Sequence, residues 1–291
     1  ADLLTQVSRG AANLDDLDLN PLLITVDGSE KIVYDRSKPR NAVMDTLDAE
    51  IVKDAARFFE DGEKMQLSYA VRNTHRTIGT RTSSLIVQKF GMKNTLQPDH
   101  LTLRLTGSAG QSLGAFAAPG LKIEVSGDAN DYVGKGLSGG TIVVRPPMAS
   151  PLVASDNTII GNTVLYGATN GHLFAAGRAG ERFAVRNSGA SVVIEGCGSN
   201  GCEYMTGGVA VILGRIGANF GAGMTGGMAY LYDPQGVAHR YINPETLVTC
   251  PVTVAHWETE LRGLIERHAA ETGSRRAAAI LGDWARERAN F

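Results

Sequence analysis

The apolar positions of this chain recur in short runs separated by a nearly constant number of residues. Leu103, Ile123 and Ile142 lie in such runs, 20 and then 19 residues apart. After an interruption the spacing of 19 residues resumes at Leu173, Val192, Val211 and Tyr230. A fixed period near 20 residues is typical of stacked repeats, and the runs are too close for crossover helices. The pattern therefore predicts a mainly β fold, a single-stranded β-helix (solenoid) of about 19–20 residues per turn.

Glycines follow the same period. Residues 101–243 hold 27 of the 35 glycines in the chain. A coil that bends sharply between short strands needs a positive φ or a close approach of backbones, and glycine allows both. The structural corner glycines predicted in this way are Gly134, Gly136, Gly139, Gly140, Gly207, Gly208, Gly226 and Gly227.

One step in the spacing is longer than the others. From Ile142 to Leu173 it is 31 residues, one period plus 12, and the surplus falls within residues 145–157, which carry three prolines. This segment is predicted to be an inserted loop.

The flanking segments have other periodicities, which predicts three parts: a linker and helical lead-in over 1–100, the β-helix over 101–243, and C-terminal helices over 244–291. In the lead-in, helical segments are expected from Asp45 or Thr46 to Phe59, from Leu67 to Thr74, and from Thr82 or Ser83 to Gly91. Near the C-terminus, helical spacing runs from Trp257 to His268, and Ser274 is predicted to cap a last helix. Such end elements would cover the open ends of a coil.

The composition and charge of the chain argue against some classes of function. The formal net charge is -2 and the pI about 6.3, which gives no electrostatic case for binding nucleic acid or an anionic membrane. The sequence shows no run of 18 apolar residues and no secretory signal pattern, so a cytoplasmic location is expected. The three cysteines are an odd number in a long chain, which favours reduced thiols.

Two glycine motifs suggest chemistry. The segments 134–139 and 221–226 match the G-x-G-x-x-G dinucleotide fingerprint, and 136–140 matches the G-x-S-x-G nucleophile elbow around Ser138. Both motifs require a helix directly after the turn, whereas strand-like runs follow here. Turns are therefore the preferred interpretation, with Ser138 bonded to the backbone.

Three polar clusters are candidate ligand or catalytic sites. Asp16, Asp18 and Asn20 have calcium-loop spacing, but Pro21 stands where the loop requires glycine. Cys197 and Cys202, with His172 one period earlier, lack the spacing of a zinc site, so packing is expected. Asp128, Asn130 and Asp131 are expected to cap turn amides, with a carboxylate pair as the alternative.

Several long motifs carry a family resemblance over essentially the whole chain. They are QVSRGAANLDDLDLNP, NTHRTIGTRTSS, GSAGQSLGAFAAPG, GDANDYVGKGLSGG, GERFAVRNSGA, GCEYMTGG and NFGAGMTGG. Together they resemble the C-terminal GXGXG domain of the large (alpha) subunit of bacterial, NADPH-dependent glutamate synthase.

The resemblance implies a right-handed β-helix and a place within an oxidoreductase that makes L-glutamate from L-glutamine and 2-oxoglutarate. In that family FMN and a 3Fe-4S cluster belong to another domain of the large subunit, and NADPH, FAD and 4Fe-4S clusters to the small subunit. The resemblance implies no catalytic, cofactor-binding or metal-binding residue in this chain, which is expected to be inactive alone. Its expected partners are the other large-subunit domains and, in the holoenzyme, the small subunit.

Two hypotheses remain open at this point. The first is a structural domain that positions the glutaminase and FMN synthase domains. The second is a free-standing ligand-binding or catalytic protein that uses the glycine-rich corners or the Asp128/Asp131 loop. The weakly charged faces of residues 101–243 also leave self-association open.

Overall fold

The structure is a computed structural model that describes residues 44–93 and 96–291. Its contacts divide the chain into two units, 1–44 and 45–291, and the description below concerns the second. The calcium-type spacing of Asp16, Asp18 and Asn20 and the linker predicted over the first 30 residues lie outside the described residues.

The described residues form ten strands and six α-helices. The strands are β1 (Met65–Val71), β2 (Leu101–Ala109), β3 (Leu121–Ala129), β4 (Ser138–Arg145), β5 (Thr158–Ile160), β6 (Asn170–Ala175), β7 (Arg178–Ala179), β8 (Ser188–Ile194), β9 (Thr206–Ile212) and β10 (Gly226–Leu231). The helices are α1 (Leu47–Asp54), α2 (Ala56–Asp61), α3 (Thr80–Phe90), α4 (Ala255–Thr272), α5 (Arg275–Gly282) and α6 (Trp284–Glu287). Single 3₁₀ turns lie at Ala154–Asp156, Ala238–Arg240 and Arg288–Asn290.

All ten strands belong to one parallel sheet. The main path runs β1-β2-β3-β4-β6-β8-β9-β10, and the short strand β5 pairs with β3 and β7. Helices α1 to α3 lie before or between the first two strands of this path, and α4 to α6 follow the last strand. The architecture is therefore α/β, a ten-stranded parallel sheet with helices.

This architecture corrects the predicted fold class: the mainly β, right-handed single-stranded β-helix is wrong. The described strands form one sheet, and the helices hold nearly as many residues as the strands. The physical reason is that a repeat of apolar residues reports which strands pair in parallel. It does not report how the paired strands are arranged, or how much helix packs on them.

The predicted spacing itself corresponds to the strand register at most steps. Leu103 pairs with Ile123, and Ile123 with Ile142. The long step is also a true pairing, because Ile142 lies opposite Leu173. One step differs: Val192 pairs with Ala210 rather than Val211, after an irregularity between Ser188 and Ser191. The loop predicted over 145–157 lies between β4 and β5 and exposes Met148.

The helical lead-in is only partly confirmed. The first predicted helix is interrupted at Ala55, giving α1 and α2, and it ends at Gly62 with φ +71. The predicted segment from Leu67 to Thr74 is instead strand β1, whose residues alternate between half-buried and exposed. That alternation is the period of a strand, and the sequence interpretation missed it. The third predicted helix is α3, which begins two residues early at Thr80.

The C-terminal helices are confirmed. Helix α4 ends at Gly273 with φ +69, and Ser274 caps α5 by accepting a hydrogen bond from Ala277 N at 3.0 Å. Trp257, the first residue of the predicted helical spacing, is 38% exposed. None of the described helices is long and apolar enough to cross a bilayer.

The sheet separates two apolar clusters. Because successive side chains of a strand point to opposite faces, Ile142 and Val144 belong to the larger cluster, whereas Val143 belongs to the smaller. The smaller cluster also contains Leu261 and Ile265 of α4. The C-terminal helices therefore cover one face of the sheet.

Candidate functional site

The eight predicted corner glycines lie in two kinds of place. Gly134 and Gly136 lie in the turn before β4, with φ +64 and +63. The other six lie in strands: Gly139 and Gly140 in β4, Gly207 and Gly208 in β9, and Gly226 and Gly227 in β10.

Gly207 and Gly226 do not have a left-handed φ. A Cβ at Gly207 would instead lie closer than 3.0 Å to the carbonyl oxygen of Ser188, and one at Gly226 equally close to that of Thr206. The reason for glycine at these two positions is therefore the close approach of the neighbouring strand.

The turns themselves share an unusual backbone. Each of six successive turns has a left-handed φ at its first, third and fifth residue; the turns are 112–116, 132–136, 163–167, 182–186, 200–204 and 219–223. Twelve of these eighteen left-handed residues are not glycine. The sequence analysis did not predict most of these left-handed residues, because only a third of them are glycine. The sequence signal for these residues is a pair of glycines two positions apart, as at Gly134 with Gly136 and at Gly221 with Gly223.

The amides of these turns hold neighbouring turns together. Phe116 N donates to Lys135 O at 2.8 Å, and Gly134 N donates back to Leu113 O at 2.9 Å. Gly136 N donates to Tyr166 O at 2.9 Å. A dinucleotide site would need such amides free to face a pyrophosphate at a helix N-terminus. Here they are engaged, and strands β4 and β10 follow the two fingerprint matches.

Ser138, the elbow candidate, lies at the start of β4. Its Oγ donates to Gly136 O at 2.7 Å. The hydroxyl is therefore a turn-stabilising group, as the absence of a following helix indicated.

The acidic loop caps turn amides. Asp131 Oδ1 accepts from Asn162 N at 2.8 Å, and Asn130 Oδ1 accepts from Asp131 N at 2.7 Å. Asp128 Oδ2 accepts from Ser108 Oγ at 3.1 Å. Over residues 44–93 and 96–291, no group of three or more His, Cys, Asp or Glu side chains could hold a metal ion.

The cysteines are separate thiols. Cys197 and Cys202 are buried and free, and Cys250 is exposed and free. Burial raises the pKa of Cys197 to about 12 and that of Cys202 well above its usual range. Since the thiolate is the nucleophile and the metal ligand, these two buried residues serve as packing groups.

His172 lies in β6, half-buried and stacked on Phe174 with ring centroids 6.2 Å apart. Burial, and then the positive charge of Arg267, lower the pKa of its imidazole to about 4. His172 is therefore neutral at physiological pH.

This shift predicts a pH-dependent stability. An unfolded histidine titrates near 6.5, so between about pH 6.5 and pH 4 the unfolded chain binds more protons at this position than the folded chain. Stability must therefore fall as the pH falls through that window. We expect His172→Gln to reduce the fall, measured as urea midpoints at pH 7 and pH 4.5. An unchanged fall in the variant would contradict the assignment.

A buried polar cluster between β8 and the C-terminal helices was not predicted. Ser274 Oγ donates to Glu195 Oε1, and His268 Nε2 lies 3.7 Å from the same oxygen. All three residues are at least nine-tenths buried. The side-chain types resemble a catalytic triad, but the hydroxyl donates to the carboxylate rather than to the imidazole and is closed to solvent. Only the N-cap role of Ser274 had a signal in the sequence.

The comparisons with known proteins agree on one family. The profile of the GXGXG motif family matches residues 48–291. The chain therefore belongs to the GXGXG motif family.

Curated relatives narrow the resemblance to one kind of chain. The chain is 67% identical over 290 residues to the glutamate synthase [NADPH] large chain of Azospirillum brasilense, covering all of this chain and 19% of that one. It is 43% identical over 271 residues to the chain of the same name in Bacillus subtilis, covering 92% and 18%. It is also 46% identical over 277 residues to glutamate synthase [NADH] of Schizosaccharomyces pombe, covering 94% and 13%. The predicted resemblance to the glutamate synthase large chain is confirmed, and the chain spans less than a fifth of these relatives.

Proposed function

We propose that this chain is a structural domain of glutamate synthase that positions the glutaminase and FMN synthase domains of the enzyme. The enzyme would make L-glutamate from L-glutamine and 2-oxoglutarate. The observation that carries the proposal is the 67% identity over the whole chain to a fifth of a glutamate synthase large chain. A segment so similar in sequence is expected to keep the role of its counterpart.

The side chains support a role without catalysis. The hydroxyl of Ser138, the carboxylate of Asp131 and the amides of Gly134 and Gly136 are engaged in hydrogen bonds within the turns. A nucleophile or general base needs a free, accessible group close to a reacting atom. The proposal therefore assigns no catalytic residue to this chain.

The residues do not fit an iron–sulfur cluster. Cluster ligation takes several thiolates around one centre, whereas two of the three thiols are buried with raised pKa values and the third, Cys250, is exposed. We therefore assign the 3Fe-4S cluster to another domain of the large subunit, and we assign FMN to the same domain because of the family resemblance. NADPH, FAD and 4Fe-4S clusters are assigned to the small subunit as a partner.

The test uses the full-length enzyme and measures glutamine hydrolysed per glutamate synthesised. Gly226→Val places a side chain against the backbone of β9 and is expected to raise that ratio, because the distorted domain no longer aligns its neighbours. Gly226→Ala serves as the milder variant if the valine protein does not fold. Ser138→Ala and Asp128→Asn are matched controls, expected to keep both kcat and the ratio.

Two results would overturn the proposal. One is a loss of kcat of about a hundredfold in a folded Ser138→Ala or Asp128→Asn enzyme, the size typical of a lost catalytic group. The other is an unchanged ratio in both Gly226 variants with a distorted domain.

A further inference from the structure

An arginine-lined cleft of about 780 Å³ lies beside the C-terminal helices. Four segments that are distant in sequence each bring one arginine to it: Arg178 in β7, Arg215 after β9, Arg240 in the 3₁₀ turn and Arg276 in α5. A volume in this range is typical of sites for small molecules.

Among the described residues, none of the four guanidinium groups has a carboxylate partner within 4.0 Å. The ion pairs formed by described arginines within 4.0 Å involve other arginines, at Arg57, Arg104, Arg182, Arg262, Arg267, Arg286 and Arg288. The Nε of Arg178 is buried and has no hydrogen-bond partner among the described residues. A buried donor without an acceptor is destabilising, and a bound anion would supply the missing acceptor.

Two acidic residues of the cleft make hydrogen bonds outside the arginine group. Asp233 Oδ2 accepts from Ala238 N at 2.7 Å, and Glu195 Oε1 accepts from the hydroxyl of Ser274, whereas Glu195 Oε2 is buried without a hydrogen-bond partner among the described residues. Asp156 is the third acidic side chain of the lining. Four arginines against three carboxylates leave the lining with an excess of positive charge, and within the described part of the chain the guanidinium groups have no carboxylate partner.

Arg276 is also held in place before any ligand arrives. Its Nε donates to Leu213 O, and its guanidinium lies 5.5 Å from the ring centre of Tyr232. At Arg215 and Arg178 the main chain is held, because Arg215 O accepts from Cys197 N at 2.9 Å and Arg178 N donates to Asn157 O at 2.8 Å. Preorganised donors lose less entropy on binding.

We propose that this cleft binds a small organic anion through a carboxylate or phosphate group. The planar fork of guanidinium matches both groups, and the wall formed by Ile216, Leu231 and Val237 offers an apolar surface to the body of the ligand. The site is independent of the positioning role proposed above.

The test is calorimetric titration of the chain at constant ionic strength. The probes are phenyl phosphate, phenylsuccinate and inorganic phosphate. They distinguish a phosphate from a carboxylate group and show whether an apolar body contributes. We expect saturable binding of at least one aromatic probe with a dissociation constant below about 1 mM, and weaker binding of inorganic phosphate.

Arg215→Gln and Arg240→Gln are the test variants, because both side chains are exposed and their loss leaves the packing intact. Each is expected to weaken binding about tenfold through lost charge-assisted hydrogen bonds. Arg275→Gln is the matched control, an exposed neighbour of Arg276 outside the cleft, and should bind like the parent chain. Equal affinity in all three variants, or no saturable binding of any probe, would overturn the proposal.

Discussion

Replacing Gly127 by alanine is expected to lower the free energy of unfolding by about 3 kcal/mol or more. Gly127 lies in β3 with φ +152, directly opposite Gly107 of β2. A Cβ at this position would lie closer than 3.0 Å to the carbonyl oxygen of Gly107. That oxygen belongs to the backbone of the neighbouring strand, so it cannot move away as a flexible side chain could. Backbone strain and overpacking each cost about 1–3 kcal/mol.

Two further glycine substitutions help to separate the cost of a left-handed backbone from the cost of the steric overlap at Gly127. Gly167 has φ +66 and open space around the missing side chain, so Gly167→Ala should cost only about 1–2 kcal/mol for the left-handed backbone. Gly263 lies in the middle of α4 on its exposed side, also with open space. Gly263→Ala should stabilise the chain by about 0.5–1 kcal/mol. Urea unfolding with a common m-value measures the free energy of unfolding of all three variants. A Gly127→Ala chain whose free energy lies within 0.5 kcal/mol of the parent would contradict the steric argument, because surface substitutions alone scatter by about that much.

Strand pairing was predictable from the sequence because the buried strands carry apolar residues at equivalent positions of each repeat. The pairs of Leu103 with Ile123 and of Leu173 with Val192 follow directly from spacing. The pair of Val192 with Ala210 did not, since a local irregularity removes one residue from the period. Strand β1 is missed for another reason: its alternation spans only seven residues, and its apolar positions also fit one face of a helix.

The fold class could not be read from spacing alone. A constant step between strands fixes their register, but the placement of the C-terminal helices depends on contacts between residues far apart in sequence. Glu195 and Ser274 show this, because 79 residues separate two side chains that share a hydrogen bond. The same applies to the arginine-lined cleft, whose four cations have no common motif.

The second large effect is expected at Lys122, which joins the sheet to α4. Its Nζ lies 2.7 Å from Glu271 of α4, 3.0 Å from Glu124 of the same strand and 3.6 Å from Asp99. The side chain is 11% exposed. Burial alone would lower the pKa of the ammonium group, but the carboxylates of Glu271 and Glu124 outweigh it and raise the pKa. Lys122 is therefore held in its charged form.

Lys122→Met keeps the aliphatic stem and removes the charge, which leaves three carboxylates without their shared cation. We expect a loss of about 2–3 kcal/mol rather than the 3–5 kcal/mol of a fully buried pair, because the partners are partly exposed to solvent. Glu271→Gln alone should cost less, since Glu124 and Asp99 still neutralise Lys122.

A double-mutant cycle gives the coupling between the sheet and the helix. If Lys122 and Glu271 interact directly, Lys122→Met with Glu271→Gln should destabilise by less than the sum of the single variants, by about 1 kcal/mol or more. The matched control is the surface pair Arg262–Glu266 on α4, with side chains 53% and 51% exposed, whose cycle should give no more than about 0.5 kcal/mol. Strict additivity at Lys122 and Glu271 would contradict the direct interaction, and would leave α4 held to the sheet by apolar contacts of Leu261 and Ile265 and by the hydrogen bond from Tyr230 to Glu260 at 2.9 Å.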